Sequence, residues 1–287
     1  MEPQPVTLKR SLSLPLITLY GLGNILGAGI YVLVGKVAGE AGYFAPLSFF
    51  IASIIAAISA FTYAELSSRY PVSAGEAVYI YEGFGIEKLS LAIGLLITLA
   101  GIVSSATVAH GFAGYISVFI DWPQWVIITL MLLTLGGIAA WGINQSVKAA
   151  TLLTLIEMSG LLLIVFVGAD HLPNLERIYR ADGPDNVFDS FSLMGVFAGA
   201  FLAFFAYIGF EDMVNVAEEV KEPQTTMPKA ILYSVVISTV LYAAVTLVSL
   251  SVLTPAELGR SDAPLAAVYQ QATGQPPVII SIIGMFA

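Results

Sequence analysis

Gly21-Leu22-Gly23-Asn24-Ile25-Leu26-Gly27-Ala28-Gly29-Ile30-Tyr31 lies inside an uncharged run from Ser11 to Gly35. A helix needs about 20 mainly apolar residues to cross a hydrocarbon core of roughly 30 Å, and this run supplies them. Glycine, however, weakens a helix by roughly 1 kcal/mol relative to alanine, and four glycines fall between Gly21 and Gly29. Two readings stand on spacing alone. Gly23 and Gly27 form a GxxxG pair suited to tight helix–helix packing, or the span is interrupted at mid-membrane.

Lys9 and Arg10 precede the run as they would in a signal peptide. The apolar stretch is nevertheless far longer than the roughly 7–15 residues of a signal h-region, so it reads as a retained first span. The rest of the chain is built alike. Of 287 residues, 57% are apolar and 11% charged, and the mean hydropathy is +0.87. Soluble domains carry about 25% charged residues, so most of this surface is solvated by lipid. The spans read as Leu12–Val34, Tyr43–Ala64, Leu89–Tyr115, Trp125–Trp141, Ala149–Gly168, Phe191–Phe210 and Ala230–Leu253. An eighth starts near Pro277 and has only about ten apolar residues, too few to cross. It is re-entrant or cut within its helix, and the sequence reading takes it as cut. Alternating strands of a membrane barrel are not seen.

Lys9, Arg10, Arg69, Lys88, Lys148, Lys221 and Lys229 fall on one side of these spans, against Lys36, Arg177, Arg180 and Arg260 on the other. The excess puts the N-terminus in the cytoplasm. Trp122, Trp125 and Trp141 bracket the fourth span at the level of an aromatic belt. The net charge of −9 comes largely from acidic loops such as Asp170–Asp189, and no basic stripe offers itself to nucleic acid. Without cysteine there is neither disulfide nor thiolate-bound zinc, and no cofactor is implied. No GxSxG, HExxH or nucleophile–base pattern occurs in the spans, which argues against an enzyme.

A second suspect stretch lies in the sixth span, Phe204-Phe205-Ala206-Tyr207-Ile208-Gly209-Phe210-Glu211-Asp212. Interruptions in the first span, running outward, and the sixth, running inward, are what an inverted five-helix repeat produces. A half-helix starting near Gly29 would turn its free N–H groups and positive end toward a carboxylate. Half-helices ending near Ile25 and Ala206 would offer unpaired carbonyls to an ammonium group. Both poles of a zwitterion are thereby met without a charged side chain.

These residues resemble the first-helix signature of the amino acid–polyamine–organocation transporter superfamily. Tyr207-Ile208-Gly209-Phe210-Glu211, followed by Ala217 to Ile231, is similar to its sixth helix and the loop after it. Tyr63-Ala64-Glu65-Leu66 with Tyr70, Pro71 and Gly75, and Thr154 to Glu157, also resemble the family's second and fifth helices. The resemblance implies an all-α transmembrane, five-plus-five inverted-repeat transporter fold with discontinuous helices 1 and 6, here incomplete at its C-terminal end. Residues 1–168 would form the first repeat, 169–190 an extracellular loop, and 191–287 the start of the second. The implied function is alternating-access transport of an amino acid, coupled to protons or by exchange. A polyamine or cationic amine substrate, or a half-transporter that needs a partner chain, are the alternatives. Ile25, Gly27, Ala28 and Gly29 are implied to bind the substrate through backbone groups, Phe205 to act as an aromatic gate, and Ala206, Ile208 and Gly209 to complete the site.

Glu157 lies mid-span, where an acid costs on the order of 3 kcal/mol on insertion scales and usually has a function. By resemblance its helix face approaches the break in helix one, where sodium-coupled relatives hold a cation and some proton-coupled relatives place a lysine. Glu157 is therefore a coupling group or a structural acid bonded to a neighbouring helix. Glu211, with Asp212, complements a helix dipole or relays a proton. Glu65 reads as solvated or paired, His110 as packed and hydrogen-bonded, and Ser104 and Ser105 as possible pocket residues.

Overall fold

Apolar runs in lipid must satisfy their own backbone groups, and the helix is the open-ended way to do so. The computed structural model describes residues 10–73, 75–116, 119–141, 143–179, 191–261 and 263–287. Lys9, Arg180 and most of the acidic end of the loop to Asp189 lie outside the described residues, and Ala28 is described by its backbone only. Among the described residues the regular structure is helical, joined by short connections, with one isolated parallel bridge, Leu12 with Val220. The helices are α1 (Leu14–Ala41), α2 (Ala45–Arg69), α3 (Gly75–Phe84), α4 (Glu87–Ile116), α5 (Gln124–Trp141) and α6 (Ile143–Gly168). Then come α7 (Pro173–Ile178), α8 (Leu193–Phe205), α9 (Pro223–Val252), α10 (Pro255–Arg260), α11 (Pro264–Thr273) and α12 (Val278–Gly284). Proline stands in the first turn of α1, α2, α7, α9, α10 and α11, where its missing N–H has no intrahelical partner to lose.

Among the described residues, four stretches are long and apolar enough to cross a membrane: Gly29–Arg69, Glu87–His110, Val147–His171 and Pro223–Val252. Leu14–Gly27, Gln124–Ala140 and Leu193–Phe205 are apolar but shorter. Three of the seven predicted spans are missing from these four: backbone breaks divide the first and sixth runs into pieces, while the fourth, Gln124–Ala140, is unbroken and simply shorter. The short helices α3, α10 and α11 fall in segments that the sequence reading leaves as connections. For α10 the signal is visible in retrospect, since Thr254 and Glu257 form a capping box.

The core is organised around α9, which packs against α2, α1 and α6. Its buried face carries Ser234, Ser238, Tyr242, Thr246 and Ser249, each completely enclosed and spaced three or four residues apart on one helical stripe. On α2, Ser48, Ala52, Ala56, Ala60 and Ala64 recur every fourth residue and are all buried. Small residues at that spacing allow close backbone approach, and the stripe beds α2 against α8 and α9. By contrast α4 turns Leu91, Leu95, Leu99 and Ile102 outward, an apolar surface suited to lipid.

Candidate functional site

The first break is in α1. Gly27 has φ −28° and ψ −144°, outside the helical region, so helical geometry stops and resumes across it. The second follows α8. Ser192 caps the start of that helix by accepting from the Gly195 N–H, and the helix runs only to Phe205. Ala206, Tyr207 and Ile208 continue in tight turns, each N–H donating to the carbonyl three residues back. Gly209 then takes φ +134°, a conformation open to glycine and rarely to other residues. A Cβ at Gly209 would overlap the Asn24 carbonyl. The chain resumes as a 3-10 helix, Glu211–Glu219.

The two breaks face one another. A Cβ added at Gly29 would lie 3.0 Å from Ala206 Cα, so the absence of a side chain is what lets the two segments touch. Between them lies a cavity of about 200 Å³, lined by Ile25, Gly27, Gly29, Phe205, Ala206 and Ile208 together with Gly23, Asn24, Ser104, Val108 and Ala287. Phe205 stands at its edge, 58% exposed. A second, apolar cavity of about 370 Å³ adjoins, sharing Gly29, Ser104, Val108 and Phe205 and extending to Phe112 and Met131. Gly209 does not line the cavity; it supports the wall from behind by packing on Asn24. Of the two serines, Ser104 reaches the cavity, whereas Ser105 is exposed and bonds to Gly101 of its own helix.

One expectation needs correction. The carbonyls of Ile25 and Ala206 are not left unpaired. The hydroxyl of Tyr242 lies 2.6 Å from Ile25 O and 2.7 Å from Ala206 O, completely buried on α9. Its ring meets Tyr207 at 5.0 Å and Phe49 at 5.7 Å, both edge-on. A phenol has one proton to donate, so two carbonyls share it, and the pair keeps accepting capacity for another donor. The sequence reading missed Tyr242 because a tyrosine in an apolar span has no local signature. Its place among Ser234, Ser238 and Thr246 on one stripe was the available clue.

The carboxylates fall outside the cavity. Glu157 on α6 is 5% exposed, one of its carboxyl oxygens is buried without a partner, and its backbone carbonyl accepts from Tyr31 Oη at 2.7 Å. Glu211 folds back so that its carboxylate accepts from the Gly209 N–H at 2.8 Å, bracing the second break. Glu65 pairs with Arg69 in an exposed bridge, an arrangement worth about 0–1 kcal/mol. His110 is exposed rather than packed, and its Nδ1 bonds to Ala106 O of its own helix at 2.8 Å. No cluster of metal-binding side chains occurs among the described residues.

Comparison with known proteins agrees with this architecture. The family model described as amino acid permease matches residues 12–287. A methylthioribose transporter of Bacillus subtilis (strain 168) is 32% identical over 282 residues, covering 89% of this chain and 58% of the relative. A branched-chain amino acid permease of the same organism is 29% identical, covering 93% and 60%. A vacuolar cationic amino acid transporter, number 4, of Arabidopsis thaliana is 32% identical, covering 92% and 47%. The chain thus spans about half to three fifths of the length of these relatives. Their names are those of transporters rather than enzymes. Because the matched family embraces both helix breaks and the whole core around α9, this membrane chain belongs to the amino acid permease family.

Proposed function

We propose that the chain is the substrate-cradling part of a secondary transporter that carries an amino acid by alternating access. In this reading residues 1–168 form a first five-helix repeat, 169–190 an outer loop and 191–287 the start of an inverted second repeat, with the N-terminus in the cytoplasm. The observation that carries it is the cavity at which the Gly27 break and the end of α8 meet. A helix that restarts after Gly27 leaves its first N–H groups without intrahelical acceptors, and these suit a carboxylate. Ile25 O and Ala206 O, sharing one phenolic proton, suit an ammonium. The volume, about 200 Å³, lies below the roughly 300–1,000 Å³ of drug-sized pockets and suits a ligand of few atoms.

The relatives' names cover branched-chain and cationic amino acids. Here none of the described lining residues carries a charged side chain, and Val108, Phe205 and Ile208 form an apolar wall. A second positive group would find no counter-ion among them, which favours a neutral side chain over a polyamine. Glu157, buried on a helix that packs against both α1 and α9, is the group proposed to take up the coupling proton.

The test is uptake of labelled leucine and lysine by the full-length protein in proteoliposomes, with and without an inward proton gradient. Leucine uptake driven by the gradient is the expected outcome. Lysine preferred over leucine would refute the neutral-substrate reading, and no amino acid uptake under either condition would refute the transport reading.

A further inference from the structure

The end of the helix bundle that holds Ser11 and Val220 is tied by backbone bonds from segments remote in sequence. Pro15 in the first turn of α1 discourages helix from extending backward, and Ser13 is extended, with φ −86° and ψ 165°. On the facing segment Val220 is extended as well, with φ −82° and ψ 137°. Glu222 then adopts a left-handed φ of 47° to turn the chain into α9. Two extended pieces thus lie side by side. The N–H groups of Ser11 and Leu12 both donate to Glu219 O, at 2.9 and 3.0 Å, and the Lys221 N–H donates to Leu12 O at 2.8 Å. The bridging side chains are interior: Leu12 is 1% and Val220 0% exposed. A third segment joins them, because the Ser73 N–H donates to the Glu218 carboxylate at 3.0 Å. The first half of α1 and the 3-10 helix Glu211–Glu219 lie between this junction and the cavity, with Ile17, Leu22, Met213 and Val214 packed shut.

We infer that the bridge of residues 11–12 with 219–221, braced by Glu218 on Ser73, is a latch that must part before the cavity opens toward that face. Resting on the transport reading and orientation above, the latch is the cytoplasmic closure. Both strands of it are continuous with the two broken segments: residues 11–12 lead into the half of α1 ending at Gly27, and residues 219–221 end the segment begun at Ala206. Separating the broken halves at this face therefore requires separating the bridge. The backbone bonds are few, and parting them withdraws Leu12 and Val220 from the core.

Two experiments on the full-length transporter test the latch. This chain has no cysteine, so any cysteines elsewhere are first replaced. In the first, Leu12→Cys and Val220→Cys are combined; directly paired residues of neighbouring strands have Cα atoms within the roughly 4.4–6.8 Å that a disulfide bridges. Oxidation is expected to abolish uptake, and reduction to restore it. Failure of the pair to cross-link, or full uptake by the cross-linked protein, overturns the latch. In the second, Ser104→Cys reports entry of an impermeant maleimide from the Ser11 face, with no substrate present. Adding Glu218→Ala is expected to raise the labelling rate roughly tenfold to a hundredfold, the worth of one hydrogen bond to a charged group; an unchanged rate overturns the latch. Labelling that responds while the protein with Ser104 intact takes up no amino acid leaves the latch standing and refutes the transport reading instead.

Discussion

α1 and α9 pack together and meet at one hydroxyl, yet one is broken and the other is not. α1 has Gly27 with φ −28° and ψ −144° at its middle. α9 runs unbroken for 30 residues although Pro228 lies inside it, a residue that costs about 3 kcal/mol in a helix interior. Local composition does not decide between them. Pro228 falls within the second turn of α9, near an end where backbone bonding is incomplete, and its helix is held by packing on three neighbours. Gly27 brings no side chain of its own, and the segment facing this half of α1 is also broken. A broken element is pinned against an unbroken one. Tyr242 is the pin.

The largest effect should come from filling the gap itself. Gly29→Leu places a side chain where even a Cβ lies 3.0 Å from Ala206 Cα. Overpacking of about 3 kcal/mol corresponds to a loss on the order of 100-fold in uptake, measured in proteoliposomes at equal protein. Next comes removal of the pin. Tyr242→Phe keeps the ring and strips the proton from two buried carbonyls, at about 1–3 kcal/mol, so uptake should fall roughly tenfold or more. Thr246→Ala, on the same α9 stripe but without a hydrogen-bond partner, should have a smaller effect. An equal loss in the two variants would erase the distinction drawn between α1 and α9.

The comparison gives some measure of what the chain's letters disclose. Membrane runs are legible because roughly 20 apolar residues have no other stable use. The first break is foreshadowed by Gly21, Gly23, Gly27 and Gly29, since a cluster of poor helix formers is a local property. Tyr242 is not, because its meaning comes from Ile25 and Ala206, which only folding brings near. The pairing of Leu12 with Val220 is hidden for the same reason: both residues are ordinary, and only their juxtaposition is informative. Glu157 is in between. A lone acid in an apolar helix announces itself, but its distance from the cavity lining does not.

Glu157 sharpens the comparison further, since α6 packs against both the broken and the unbroken helix. Glu157→Gln removes the titratable proton and keeps the shape. The expected result is loss of the gradient-driven part of leucine uptake with exchange at equal pH preserved; unaltered gradient dependence would rule out the coupling role. The smallest effect belongs to the short helix beyond α9. Thr254 donates to the Glu257 carboxylate from its hydroxyl and its N–H, at 2.7 and 2.8 Å, and these bonds hold that carboxyl below its ordinary range. A lowered folded value means stability present above the unfolded value of about 4.3 and lost as pH falls through the folded one. Glu257→Gln should therefore lower the melting temperature slightly at neutral pH, with the difference from wild type closing in acid.

The line of small residues from Ser48 to Ala64 has a mechanical corollary. Two rods seated groove to groove cannot slip by a turn without driving methyl groups into backbone, so α2 and α9 behave as a single mast. On the alternating-access reading proposed above, Tyr242 would stay fixed to that mast, and the broken segments would do the travelling past it.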